Sequence, residues 1–261
     1  MNKRTWAGLI IGLVLLTAGA VYFWSRPPVP PLPSAPVPAL PTPEPAPVAT
    51  APARSDAAVA EADAPAELPT LEASDASVRG ALIEVFGAPP VEAYLVPDRI
   101  VRRLVATIDS LDADPVRPKS RPLPPVEGRV LVEKVGDTLL LSPRNAERYE
   151  AYVSALDAAD ARAIARFYRR YAPLFQRAYE ELGYPGRRFD DRLLAIIDHL
   201  LDAPEPPEPV ELLRPKVLYQ FADPKLESLS WGQKTLVRIG ASNAAVVKAK
   251  LRELRAALLA G

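Results

Sequence analysis

The chain has 261 residues and a balanced charge, with 32 basic and 32 acidic side chains. A protein without net charge has no global field that attracts nucleic acid, so we expect no nucleic-acid partner. The sequence contains no cysteine, which excludes disulfides, thiolate catalysis and cysteine-based metal sites. His199 is the one histidine and leaves little scope for imidazole chemistry. We therefore expect neither a metal nor another cofactor.

Residues 1–26 predict a transmembrane signal anchor. The stretch 5–24 carries no charge, and about 20 residues of helix span roughly 30 Å, the thickness of a bilayer core. Two basic residues precede the stretch and only Arg26 follows it closely, so the positive-inside rule predicts a single-pass inner-membrane protein. Its N-terminus would be cytoplasmic and its C-terminal domain periplasmic. The alternative is a signal peptide cleaved after Ala18-Gly19-Ala20, which also leaves that domain outside the cytoplasm.

Residues 27–69 predict an extended, disordered linker. Most of the segment consists of proline, alanine, valine and threonine, as in PPVPPLPSAPVPALPTPEPAPVATAPA, and its last part is acidic. Proline fixes φ and lacks the N–H donor that helices and central strands need. At about 3.1 Å per residue, a polyproline II chain of this length reaches on the order of 100 Å. We interpret the segment as a spacer between the bilayer and a folded domain.

Residues 70–261 predict a mainly α domain with a small β-hairpin. Apolar side chains recur with helical spacing, and capping residues precede several of these segments. The predicted helices begin at or near Ser74, Pro97, Ser142, Asp160, Asp190, Asp223 and Ser230, and a last helix carries Val247, Leu251, Leu254 and Leu258 on one side. In RVLVEKVGDTLLLS, two β-rich runs flank Gly136-Asp137, which predicts the hairpin. Short extended pieces are expected around Leu212 and over residues 217–221.

Acidic residues gather around the predicted turn GYPGRR at 183–188, namely Glu180, Glu181, Asp190, Asp191, Asp198 and Asp202. A pair of carboxyl groups with one raised pKa could cleave a glycosidic bond, so a carboxylate-dependent hydrolase or lyase acting on cell-wall glycan or peptide is one hypothesis. Helix capping by Asp190 and a solvated helix face explain the same residues more simply. His199 is predicted to lie on a helix surface near its C-terminal end. We therefore assign no catalytic residue.

Basic and aromatic side chains alternate in two regions of the predicted domain. Arginine beside tyrosine suits carboxylate, phosphate or glycan ligands, although arginine on a solvated helix face is also common. The candidate ligand-binding residues are Arg169, Arg170, Tyr184, Arg187, Arg188, Arg214, Lys216, Tyr219, Lys234 and Arg238.

Three segments carry a resemblance to a known family. They are YRRYAPLFQRAYEELGYPGRRFDDRLLAIIDHLL, ELLRPKVLYQFADPKLESLSWGQKTLVRIG and NAAVVKAKLRELR. Together they resemble the bacterial family known only as domain of unknown function 3014, over a region from about Leu71 to Leu258. The resemblance implies an anchored cell-envelope protein and supplies no catalytic residues.

These observations favour a non-catalytic binding or scaffolding module of the cell envelope. Its expected partners are the lipid bilayer, through residues 5–24, and an envelope protein or a cell-wall component. Self-assembly through an exposed face of the last helix is a further hypothesis that the sequence leaves open.

Overall fold

The computed structural model describes residues 68–113, 115 and 117–260. The predicted anchor at 5–24 and nearly all of the predicted linker at 27–69 lie outside the described residues. Within the described ranges, none of the helices combines the length and the apolar character needed to cross a bilayer. The α-helices are α1 (Asp75–Phe86), α2 (Ala88–Tyr94), α3 (Ile100–Asp109), α4 (Glu150–Asp157), α5 (Ala161–Glu181), α6 (Phe189–Leu201), α7 (Pro224–Glu227), α8 (Trp231–Arg238) and α9 (Ala241–Leu259). Short 3₁₀ helices cover Leu71–Ala73, Pro118–Ser120 and Pro143–Tyr149.

Helix α1 begins next to Ser74 as predicted, although the hydroxyl of Ser74 donates to the carbonyl oxygen of Leu71 and does not cap the helix. Val78, Leu82 and Phe86 follow helical spacing and are almost completely buried. The helix stops at Gly87, whose φ of 81° is readily adopted only by glycine. The following helix α2 was not predicted, although proline in the first turn of a helix is compatible with helical geometry.

Helix α3 begins later than the prediction that placed Pro97 at its start. Arg99 adopts a left-handed conformation with φ of 53°, and the helix starts at Ile100. The cap comes from α1, because the carboxylate of Asp75 accepts hydrogen bonds from the backbone N–H of Arg99 at 2.7 Å and of Ile100 at 2.8 Å. Asp75 therefore also joins the two helices.

The main core forms around α5, which packs against α1, α3, α6 and α9. Its apolar face carries Phe167, Tyr171 and Phe175, which are all buried. The helix starts at the predicted cap, since the side chain of Asp160 accepts a hydrogen bond from the backbone N–H of Arg162. Amphipathic spacing over this long helix accounts for its central position.

A small antiparallel sheet forms a second, separate part of the core. Its strands are β1 (Val132–Val135), β2 (Thr138–Leu141), β3 (Glu211–Leu213) and β4 (Gln220–Phe221), in the order β1-β2-β3-β4. The predicted hairpin is confirmed as β1–β2, and the extended pieces predicted further along the chain enlarge it to four strands. One face packs on a small apolar cluster of Val210, Leu212, Phe221, Leu226 and Val237.

Two lysines of α9 are buried, although the helical spacing of the sequence does not put them on its apolar side. Lys248 and Lys250 are only 4% and 8% exposed. Their ammonium groups donate to the carbonyl oxygens of Ala203 at 2.6 Å and of Ala159 at 3.0 Å, just beyond the ends of α6 and α4. Cations at helix C-termini are favourable, so these lysines fasten three helices together.

Candidate functional site

The structure distributes the candidate ligand-binding residues over three places. Arg169 and Arg170 lie on α5, Tyr184, Arg187 and Arg188 lie at the turn between α5 and α6, and Arg214, Lys216, Tyr219, Lys234 and Arg238 lie at the sheet and α8. The three places differ in which protein groups contact their cations and in the volume that is open to a ligand.

At the turn between α5 and α6, the candidate residues contact one another and neighbouring side chains. The ring of Tyr184 stacks on Tyr179 with 4.7 Å between centroids, and the guanidinium of Arg187 lies 5.8 Å from the centroid of Tyr184. Arg188 forms an ion pair with Asp190 at 2.8 Å. These contacts stabilise the turn. The side chains predicted to bind a ligand here contact other protein side chains instead.

Asp190 does not cap α6, contrary to the prediction. Its carboxylate accepts hydrogen bonds from the hydroxyl of Tyr168 at 2.5 Å and from Arg188. The helix is capped instead by Gln176 of α5, whose amide oxygen accepts from the backbone N–H of Phe189 at 2.9 Å. The bond from Tyr168 lowers the pKa of Asp190, while burial and the adjacent carboxylate raise the pKa of Tyr168 well above its usual value.

Two other carboxylates of this group, Glu181 and Asp198, have partners of their own. Glu181 accepts from Arg102 at 2.8 Å, which lowers the pKa of Glu181. Asp198 accepts from Arg255 at 2.6 Å. The predicted gathering of carboxyl groups in the sequence is therefore resolved into separate ion pairs and hydrogen bonds. In the part of the chain that the structure describes, no group of three or more histidine, aspartate or glutamate residues is arranged to hold a metal ion.

His199 is half-buried at the end of α6 and does not lie on an open helix surface. Its Nε2 is 2.8 Å from the hydroxyl of Ser230, which caps α8. Its carbonyl oxygen accepts from the side-chain amide of Gln233 at 3.0 Å. His199 thus connects the end of α6 to the start of α8, a structural role that the neighbouring residues in the sequence do not indicate.

At the sheet, the aromatic residues pair with arginines. The guanidinium of Arg238 lies 5.2 Å from the ring centroid of Phe221, and that of Arg214 lies 5.2 Å from the ring centroid of Tyr219. A cleft lined by Tyr219, Phe221 and Arg238 encloses about 10 Å³, which is room for about one water molecule. Burial lowers the pKa of Arg238. This cleft is too narrow for a carboxylate or sugar ligand without rearrangement.

Lys234 and Lys216 differ in their surroundings. Lys234 forms an ion pair with Glu227 at 3.0 Å, and Glu227 also accepts from the backbone N–H of Phe221. Lys234 therefore helps to position β4 and α7. Lys216 is exposed in the loop between β3 and β4.

A wider groove lies between α1 and α5 and has a volume of about 230 Å³. Its apolar surface is shared by both helices, and its charged residues come mainly from α5. It is lined by Ala81, Glu84, Val85, Ala163, Arg166, Phe167, Arg170 and Tyr171. We refer to these residues as the α1–α5 groove.

The cations of the α1–α5 groove have weak internal contacts. Arg166 lies 3.8 Å from Asp160, and both side chains are more than half exposed. Arg170 is exposed and stacks on the ring of Tyr171 at 5.5 Å, with no ion-pair partner among the described residues. Exposed pairs contribute little free energy, so both guanidinium groups can exchange their contacts for those of a ligand at small cost.

The aromatic floor of the groove is held in place from below. The hydroxyl of Tyr171 is 2.8 Å from that of Ser77 on α1 and donates to the carbonyl oxygen of Ser77 at 3.1 Å. Phe167 lies beside Tyr171 with 5.1 Å between ring centroids. Arg169 contacts another element, because its guanidinium donates to the carbonyl oxygen of Ala257 on α9. Of the two predicted residues on α5, only Arg170 therefore lines the groove.

The geometry defines a mainly helical domain with a small antiparallel sheet and one open, arginine-bordered groove. The family model described as Protein of unknown function (DUF3014) matches residues 100–255. The match covers more than half of the chain, so the chain belongs to this family, and the resemblance noted in the sequence is confirmed over the matched residues. A search of curated proteins and a search of solved structures each gave no match.

Proposed function

We propose that the chain is a membrane-anchored, non-catalytic binding module of the cell envelope, and that the α1–α5 groove binds an acidic segment of a partner polypeptide. The observation that carries this proposal is the groove itself. It offers about 230 Å³ above an apolar and aromatic floor, and exposed arginines stand at its border.

The charges around the groove support an acidic partner. Arg162, Arg166 and Arg170 recur at every fourth position and therefore form one stripe along α5. Within the groove lining, Arg166 and Arg170 stand against the carboxylate of Glu84, so the cations of the lining are in excess. Guanidinium groups bind carboxylates with two parallel hydrogen bonds, which gives acidic side chains both affinity and orientation.

The floor of the groove supports a polypeptide with apolar side chains between its acidic ones. Val85 and Ala163 are partly exposed and present carbon surface, whereas Ala81 and Phe167 line the groove with little exposed surface of their own. Burial of an apolar side chain there would supply free energy that the exposed ion pairs do not. Grooves between helices commonly bind peptides in this way.

The carboxylates near the α5–α6 turn also favour binding over hydrolysis. A general acid in a glycosidase needs a raised pKa, whereas the pKa values of Glu181 and Asp190 are lowered by their hydrogen-bond donors. We therefore place the function in the groove and not at the turn.

The anchor and linker complete the proposal. The uncharged stretch 5–24 spans the inner membrane with the N-terminus in the cytoplasm, and the proline-rich spacer carries the domain in the periplasm. We expect activity in cells from a C-terminal reporter of the type that works only outside the cytoplasm. Activity of the complementary cytoplasmic reporter alone would contradict this part of the proposal.

Peptide binding tests the groove directly. The full chain in detergent micelles is titrated into a fluorescein-labelled peptide of alternating leucine and glutamate, and binding is followed by anisotropy. Loss of two ion pairs worth roughly 0.5–1 kcal/mol each predicts an affinity loss of about 5- to 30-fold for R166E/R170E.

The matched control is R129E/R144E, which changes the same charge at exposed arginines outside the groove. The control should bind the leucine–glutamate peptide as tightly as the parent, and a leucine–glutamine peptide should bind weakly to all three chains. Equal affinities for both peptides, or equal losses in both variants, would rule out the groove as the binding site.

A further inference from the structure

One end of the sheet exposes large apolar side chains. Val217, Val135 and Leu213 are 72%, 62% and 53% exposed, and three basic residues lie next to them in the sequence. We define the sheet tip as Lys134, Val135, Leu213, Arg214, Lys216 and Val217.

Strand register places the apolar residues of the sheet tip on one face. Val135 pairs with Thr138, and continuing the β2–β3 register brings Thr138 opposite Leu213. Neighbouring strands are about 4.8 Å apart, so Val135 and Leu213 lie in one row about 10 Å apart. The adjacent row of Lys134, Leu139, Leu212 and Phe221 points the other way, and its apolar members pack on the small apolar cluster. The exposed row is therefore not used by the core.

Two connections bring Val217 and the cations to the same end. The β1–β2 turn at Gly136-Asp137 and the β3–β4 loop at 214–219 leave the sheet on the same side, because strand direction alternates in an antiparallel sheet. The stacking of Arg214 on Tyr219 joins the two ends of the loop and leaves Val217 exposed between them.

The charge of this end is basic. Lys134, Arg214 and Lys216 stand against Asp137 of the turn, which lies 3.8 Å from Lys134. Glu133 and Glu211 lie two rows further from the tip, on the same face as Val135 and Leu213. Apolar side chains bordered by cations match the boundary of an anionic bilayer, where carbon surface enters the acyl region and basic groups meet the phosphates.

We propose that the sheet tip inserts into the headgroup region of a bilayer that contains anionic lipid. The turn and the loop at this end of the sheet present exposed apolar side chains, and a deformable lipid surface accommodates such side chains without a matching cavity. The contact is separate from the α1–α5 groove, and it does not depend on peptide binding there.

The absence of cysteine from the chain allows a site-specific test. The full chain carrying V217C is labelled with an environment-sensitive fluorophore and mixed with vesicles of phosphatidylcholine alone or with phosphatidylglycerol added. The matched control is A245C, at an exposed position of α9. Because both chains carry residues 1–67, attachment through that region affects them equally.

Insertion predicts that fluorescence at position 217 rises by about twofold or more with anionic vesicles and falls when the lipids carry a quencher, while position 245 changes little. K134Q/K216Q in the V217C background should reduce the rise, whereas K119Q/K225Q, at exposed lysines elsewhere, should not.

Equal responses at positions 217 and 245, or equal responses to neutral and anionic vesicles, would overturn the proposal. The proposal would also be overturned if the label at position 217 responded to an added envelope protein and did not respond to lipid. Binding of the leucine–glutamate peptide to V217C should match that of the parent in every case, so failure here is distinct from failure of the groove.

Discussion

The α5–α6 turn and the α1–α5 groove contain the same residue types in different situations. At the turn, Arg188 pairs with Asp190, and Arg187 stacks on Tyr184. In the groove, among the residues that the structure describes, Arg166 has one long contact and Arg170 has only the ring of Tyr171. Arginine beside tyrosine therefore does not by itself identify a binding site. The internal partners of each guanidinium decide whether it is available to a ligand.

The largest expected effect lies in the core beneath the turn. Phe189 is 1% exposed and stacks on Phe175 with 5.8 Å between centroids. F189A should lower the free energy of unfolding by about 3–5 kcal/mol, because it removes apolar contacts and leaves a cavity. Urea denaturation measures the change, with the nearby L182A, at an exposed leucine, as the control. A change below about 1 kcal/mol in F189A would contradict the assigned packing.

A partly buried arginine close to the turn should have the next largest effect. Arg192 on α6 pairs with Asp109, the last residue of α3, and with Asp112 just after that helix, both at 2.7 Å. R192A should cost about 2–3 kcal/mol, because it leaves two carboxylates without their donor. R177A removes only an exposed pair with Glu181 and should cost less than about 0.5 kcal/mol. Equal losses in the two variants would show that Arg192 is no more important than a surface residue.

The turn should also determine part of the acid sensitivity of the fold. Donors from Arg192 and Tyr168 lower the pKa values of Asp112 and Asp190 from their ordinary values. Since the unfolded chain then binds more protons, stability is full above the unfolded pKa and is lost as the pH falls through about 4 and below. Y168F should weaken this acid dependence by removing one donor to Asp190. Urea denaturation between pH 7 and pH 2 measures how the free energy of unfolding depends on pH. The same dependence in Y168F and the parent would contradict the role of Tyr168.

The smallest effect on stability should come from the groove. R170A removes an exposed side chain and should change the free energy of unfolding by less than about 0.5 kcal/mol. The same variant should bind the leucine–glutamate peptide measurably more weakly. A large loss of stability with unchanged peptide affinity would show that Arg170 stabilises the fold, as the residues of the turn do, and does not bind the peptide.

Local signals account for the parts of the fold that the sequence predicted. Helix α1 stops at Gly87, α5 starts at Asp160, and Gly136-Asp137 closes the hairpin, because each of these features depends on neighbouring residues. Where the partner is distant in sequence, prediction failed. Asp75 caps α3, and Gln176 takes the capping role that was assigned to Asp190.

The candidate site was only partly predictable for the same reason. The arginine-rich run pointed to Arg170, but the opposite wall of the groove consists of Ala81, Glu84 and Val85 on α1. Nothing in those three residues indicates a site until α1 packs against α5. Conversely, Arg238 and Tyr219 fitted a ligand site by type, and the structure places them around a cleft of about 10 Å³.

A charge exchange tests the central claim most directly. The affinities of the parent chain and of R166E/R170E are measured for the leucine–glutamate peptide and for a leucine–lysine peptide of equal length. We predict that the parent prefers the acidic peptide and that the variant prefers the basic one. An unchanged preference in the variant would contradict the assignment of the groove as the site of binding.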